Sequence, residues 1–325
     1  MFKRAQQNDA ARHSDRGSPR RDFQRFSISD TSIEIEAMVY NNTLSDLTPL
    51  VIISPLELAM PPSVAFCEKM WAAGFQTIFL RRPGFGKAPG LPDALLTRQA
   101  VKERAALAAE AAIFTQLVDE MGLKNYILMG AGTSNSICYR MAQLSANIKH
   151  SIYSNPLFHP GIWDVIRPPW LRAMIRQTIQ SKSGMKVAVR GLRALLRRDP
   201  IWFYKQFAQK SAGDVAYIER NKRDFQRAGL LLQKMKPEIF FYNLQSALVE
   251  DTRWDAEFTG TRSATILSGT ETLDDWKRDI KLEADRLRLP IEFAKSGDLF
   301  VAYASPDRLI DILKRHTEGA VSETK

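Results

Sequence analysis

Apolar and polar residues alternate from Ile33 through Ile35 and Ala37 to Val39, the spacing of a strand buried on one face. Leu50-Val51-Ile52-Ile53 is instead an unbroken apolar run, as in a parallel strand covered on both faces. Between 62 and 74 the pattern becomes helical: Phe66, Met70 and Trp71 share a face, and Gly74 is a natural stop. Residues 75–80 read as the next strand and 98–121 as a long alanine-rich helix. Residues 126–129, 136–144 and 151–154 follow as strand, helix and strand. This alternation predicts an α/β fold with a doubly wound, mostly parallel sheet.

The alternation stops after Asn155-Pro156. Residues from 161 to about 258 read as helices, and strand–helix alternation then resumes: a strand at 264–267, a charged helix at 273–288 and a short strand at 291–293. An amphipathic helix over 307–316 closes the pattern, with Leu309, Ile310, Ile312 and Leu313 apolar. Ahead of all this, residues 1–27 are polar and arginine-rich, too poor in apolar surface to offset the entropy of ordering, and are expected to be a disordered basic tail. The predicted organisation is a tail over 1–27, a first core part over 28–156, a helical insertion over 157–260 and a second core part over 261–325.

Composition sharpens this picture in three ways. The formal net charge is +10, which favours anionic partners without choosing among phosphates, acyl-type ligands, membrane surfaces or nucleic acid. Cys67 and Cys138 both sit in apolar helical patterns, as buried reduced thiols do; no zinc spacing or disulfide framework exists. The chain opens Met1-Phe2-Lys3-Arg4 with no apolar segment after it, and no apolar run is long enough to span a bilayer. The cytoplasm is the expected location, with peripheral attachment to a membrane left open.

Three stretches then carry a resemblance. Arg81-Arg82-Pro83-Gly84-Phe85-Gly86 is similar to a D-x-P-G-x-G loop following a strand. Residues 125–136 (Asn-Tyr-Ile-Leu-Met-Gly-Ala-Gly-Thr-Ser-Asn-Ser) resemble a strand, a sharp nucleophile turn and a helix start. Residues 291–308, with Gly297-Asp298 and Pro306, resemble the segment bearing "G-H" and then "P-E". In this order and spacing they resemble the α/β-hydrolase fold superfamily over roughly residues 30–316, and the helical insertion stands where that family places its cap.

The resemblance implies three catalytic positions, and each is occupied by a different residue type. A gapless reading puts Gly132 at the nucleophile, which has no nucleophilic atom. The acid position after the seventh strand, "G-x-x-D", holds Thr272, with Glu271, Asp274 and Asp275 beside it. The base position after Gly297 holds Asp298, and an aspartate is a weak base unless strongly desolvated. The oxyanion "H-G" becomes Ser54-Pro55, although Leu56 keeps a backbone N–H. A shifted reading makes Ser134 the nucleophile; against it, small hydroxyl residues also serve to start helices. Of the four histidines, His159 alone follows a strand at the catalytic edge, in a context that suits an ordinary loop residue better, and His316 belongs to the last helix, on whose surface it is expected.

These substitutions favour a non-catalytic protein that binds a small apolar or acyl-type ligand near Leu56, Gly132, Thr133, Ser134, His159 and Asp298. The alternative is an esterase-like hydrolase using Ser134 with His159. The insertion adds a third theme: residues 161–210 hold eleven lysines and arginines against two aspartates, among Trp163, Trp170 and Trp202. Lys186, Arg190, Arg193 and Arg197 recur beside the row Met185, Val189, Leu192 and Leu196, an amphipathic basic helix weakened by Gly191. It is either a solvated helix packed on the core or a surface for an anionic lipid or acidic partner. No cofactor, metal ligand set or nucleic-acid partner is expected.

Overall fold

The computed structural model describes residues 21–157 except 30, 32, 57, 98 and 101–104; residue 173; residues 182–235 except 209; and residues 263–318. Eight strands make one sheet: β1 (Phe23–Ser27), β2 (Glu34–Val39), β3 (Thr48–Ile53), β4 (Phe75–Leu80), β5 (Tyr126–Ala131), β6 (Ile148–Ser154), β7 (Ala264–Gly269) and β8 (Ile291–Ala294). Their spatial order is β1-β2-β4-β3-β5-β6-β7-β8. The pairs β1–β2 and β2–β4 are antiparallel and the remainder parallel. Every residue of β4 and β5 is buried, Gln76 and Thr77 of β4 included, as in strands covered on both faces.

Helices α1 (Val64–Ala72), α2 (Ala105–Glu120), α3 (Asn135–Leu144), α4 (Lys182–Arg198), α5 (Pro200–Ala208), α6 (Ala212–Arg220), α7 (Lys222–Lys234), α8 (Asp274–Leu287), α9 (Val301–Ala304) and α10 (Pro306–Glu318) follow the predicted sequence of elements. Their starts follow side-chain chemistry. The Ser63 hydroxyl accepts from Phe66 N at 3.2 Å to open α1, and Ser211 accepts from Asp214 N at 3.0 Å to open α6. Among the described residues of the insertion, α4 to α7 are helical as expected; Trp163 and Trp170 lie outside the described residues.

Two expectations need correction. The tail expected over 1–27 ends too late, because β1 pairs with β2 from Phe23 opposite Met38 to Ser27 opposite Glu34. An edge strand has one neighbour and one covered face, so it needs few apolar residues and leaves little periodic signal. Tertiary contacts supply the difference: Phe23 meets Phe79 edge-on, with centroids 6.3 Å apart, and the Arg81 guanidinium lies 3.5 Å over the Phe23 ring. Residues 1–20 lie outside the described residues. The second correction is His316, expected on the surface of its helix: its ring stacks at 3.6 Å on buried His150 in β6, whose nitrogens meet Ser263 Oγ at 2.7 Å and Thr265 Oγ1 at 3.1 Å. Burial pushes His150 down to about 3, so this pair is neutral packing.

The loop after β4 is pinned by two buried ion pairs. Arg81 pairs with Glu36 of β2, and Arg82 with Glu110 of α2 at 2.8 Å. Gly86 has φ 68°, and a Cβ there would run into the Glu36–Arg81 pair, so glycine lets the backbone pass over it. Lys87 N donates to Glu36 Oε1 at 2.9 Å and closes the arrangement. Where the related motif has aspartate, this chain has an arginine, and a carboxylate from the neighbouring strand neutralises it. Cys67 and Cys138 are both free and buried, as expected. Among the described residues no helix is long and apolar enough to cross a membrane.

Candidate functional site

Strand β5 gives way to α3 through one turn of 3-10 helix at Gly132–Ser134. Gly132 is the left-handed residue of this turn, with φ 51°. It sits at the corner between strand and helix and carries no side chain. Gly130, two residues earlier in β5, has no room for a side chain, since a Cβ there would stand 2.9 Å from Asn135 Cα. The strand and the helix therefore approach closely, which requires small residues at this corner.

The hydroxyls after Gly132 are engaged within the turn. Ser134 is fully buried; its Oγ accepts from Ala131 N at 2.9 Å and donates to Ala131 O at 3.0 Å. Thr133 Oγ1 accepts from Leu56 N at 2.8 Å. That bond ties the segment after β3 to the corner between β5 and α3. Asn135 Nδ2 donates to Gly132 O at 2.9 Å and Ser154 O at 3.0 Å, tying the turn to β6.

Thr272 and Asp298, far apart in sequence, come together on Asn155. Asn155, in the left-handed region at φ 40°, donates from Nδ2 to Thr272 Oγ1 at 2.6 Å and to Asp298 O at 2.6 Å, with Asp298 Oδ1 at 3.4 Å. Both acceptor residues are buried. Asp298 is pushed up to about 7 by burial and by the neighbouring Asp214 charge, against the opposing hydrogen bond of Thr272. Its carboxyl can thus hold or release a proton near neutral pH.

Asp214, from α6 of the cap, was not anticipated. Its carboxylate accepts from Asp298 N at 3.0 Å, Leu299 N at 2.6 Å and Phe300 N at 3.2 Å, the free N–H groups ahead of α9. Burial raises it to about 6 even though these three donors pull it down. Glu271 makes a parallel tie, accepting from Ser211 Oγ at 2.6 Å, Gly213 N at 3.0 Å and Gly297 N at 2.9 Å. Burial would raise Glu271, but the Ser211, Gly297 and Gly213 bonds outweigh it and hold it below the usual glutamate range. Two carboxylates therefore fasten the start of α6 to the loop after β8. The sequence did carry a trace of this: Ser211-Ala-Gly-Asp214 has the spacing of a helix start.

Of the expected site residues, Thr272 and Asp298 meet, and Leu56 meets Thr133. Ser134 bonds back to Ala131, and no hydrogen bond joins it to Thr272 or Asp298 among the described residues. His159 lies outside the described residues. On α4 the expected basic row divides: Arg190 and Arg197 are exposed, whereas Arg193 donates from Nη2 to Met235 O at 2.6 Å and ties α4 to the end of α7. Among the described residues no group of three histidine, cysteine or acidic side chains is placed to hold a metal ion.

No protein-family model matches the chain, and no curated protein matches it. Solved structures do. A carboxylesterase from the thaumarchaeon Nitrososphaera gargenis superposes with a TM-score of 0.60 at 15% identity, covering 92% of this chain and 100% of that one. A bromoperoxidase from Bacillus anthracis gives 0.58 at 13% identity, covering 91% and 100%. The enol-lactonase from Burkholderia xenovorans gives 0.58 at 12% identity, covering 90% and 98%. At these identities the likeness is one of fold, and the architecture is that of the α/β hydrolases.

Proposed function

We propose that this chain, an α/β-hydrolase fold by its architecture, does not turn over esters by the serine-hydrolase route and instead serves as a binding protein. The observation that carries this reading is the hydrogen bond from Leu56 N to Thr133 Oγ1: the donor an oxyanion would need is satisfied within the protein. Gly132 at the corner and Asp298 in place of a histidine support it, since nucleophile, base and oxyanion donors act as a unit and lose most of their value singly. The ligand in this reading is a small apolar or acyl-type molecule near the Gly132 corner.

A second reading is an esterase-like hydrolase with Ser134 as nucleophile. It is favoured by the similar structures, among which are esterases and a lactonase. Fluorophosphonate labelling of the full chain, with a panel of short- and long-chain esters, separates the two. The first reading expects neither labelling nor turnover above background. Stoichiometric labelling at Ser134, together with esterase activity that disappears in Ser134→Ala, establishes the second and removes the first.

A further inference from the structure

A cleft of about 520 Å³ opens on the molecule where the N-terminal strand, the segment before α1 and the cap helix α7 converge. None of the residues lining it belongs to the Gly132 corner or to the Asn155–Thr272–Asp298 group. One wall is apolar: Phe23, Met60, Pro61 and Val64. The other is a single face of α7, on which Arg227, Leu230, Leu231 and Lys234 recur at helical spacing. Two cations therefore bracket two leucines, and Leu230 is left 50% exposed in a helix where Phe225, Ala228 and Leu232 are buried and Leu231 partly so.

The charges of this cleft fall into two classes. Arg21 and Arg81 are committed: Arg21 to Asp224 at 3.1 Å and to Pro62 O at 2.6 Å, Arg81 to Glu36 and to Ala59 O at 3.1 Å. Arg227 and Lys234 have neither an ion pair nor a hydrogen bond among the described residues, and on the rim Asp22 is the one acid to set against them. A cleft with apolar walls and an uncompensated cation on either side of its leucine pair suits a molecule with one anionic head and an apolar body. Its size lies within the ~300–1,000 Å³ of ordinary small-molecule sites. We infer that this cleft is a binding site for a single-headed anionic amphiphile, its carboxylate or phosphate held at one end by Arg227 or Lys234 and its chain lying between Leu230–Leu231 and the Phe23–Met60–Val64 wall. The inference stands whether or not the Gly132 corner is catalytic.

Calorimetric titration of the full chain with decanoate, decyl phosphate and neutral decanol tests it, alongside two variants that lose the same charge. Arg227→Gln/Lys234→Gln removes the cations of the cleft, and Lys124→Gln/Lys314→Gln removes two exposed cations that do not line it. Saturable one-to-one binding of decanoate or decyl phosphate is expected, at least about ten-fold weaker in the first variant, nearly unchanged in the second, and much weaker for decanol. The tighter of the two anions identifies the head group. All four substituted side chains are exposed, so each variant should keep the thermal stability of the parent. No saturable binding of either anion, equal binding of decanol, or equal weakening by both variants overturns the assignment. Leu230→Asp should abolish binding in the native-like protein, and undiminished binding in that variant would place the ligand elsewhere.

Discussion

Gly132 holds φ 51°, a region that costs a non-glycine residue roughly 1–2 kcal/mol. Gly132→Ser should therefore fold with a small loss of stability and gain no useful esterase activity, because Asp298 rather than an imidazole stands after β8. Gly132→Ser/Asp298→His should exceed the single variant in p-nitrophenyl ester turnover, and robust turnover by Gly132→Ser alone would mean that another residue already serves as base. Asp298 makes a second prediction. Its folded value of about 7 lies above the ~3.9 of an unfolded aspartate, so the folded state favours the protonated form. The stability this carboxyl contributes is full below pH ~4 and lost as pH rises through about 7. Asp298→Asn keeps the shape and removes the charge. It should stabilise the protein on the order of 1–3 kcal/mol at pH 8 relative to wild type, with the gain shrinking toward pH 4. Chemical denaturation at the two pH values checks this, and a pH-independent difference would mean that Asp298 is not the titrating group.

At the scale of elements, α4 shows how far a pattern can be trusted. The spacing of Arg190, Arg193 and Arg197 beside an apolar row was legible in the sequence, as was the burial of Val189 and Leu196. The capture of Arg193 by Met235 O was not, because it depends on where α7 ends in space, 42 positions later. Lys186, Arg190, Arg197 and Arg198 stay exposed, with exposed Leu195 and Trp202, and we propose this face as the one an anionic lipid would meet. Arg190→Glu/Arg197→Glu should reduce binding to phosphatidylserine vesicles several-fold at low salt and leave the melting temperature unchanged. Arg193→Glu should instead lower the melting temperature, since it breaks a charged hydrogen bond worth ~1.5–3 kcal/mol. Vesicle binding by the double variant equal to wild type would reduce this face to a solvated lid. The attachment of α6 to the loop after β8 was equally hidden: Asp214 and Glu271 act on backbone N–H groups, which carry no residue signature in the sequence.

For the molecule as a whole, the central strands β3 to β7 were readable because short unbroken apolar runs between polar loops suit strands covered on both faces, and the chain order of the Gly132 corner, Thr272 and Asp298 followed from them. What could not be read were the features made by distant partners: Asn155 bridging Thr272 and Asp298, Thr133 covering Leu56, and the edge strand β1. That last feature changes how the chain should be cut. A truncation starting at residue 28, natural from composition alone, removes Phe23 to Ser27 and leaves one side of β2 with bare donors and acceptors. It also discards Arg21, which joins Asp224 of the cap to Pro62 O of the core. An open sheet edge invites another chain to pair with it. The shortened protein should therefore self-associate, as larger species in size-exclusion chromatography and light scattering, whereas a truncation starting at residue 21 should elute as the full chain does. The opening arginine-rich stretch thus ends in the strand that covers this side of β2.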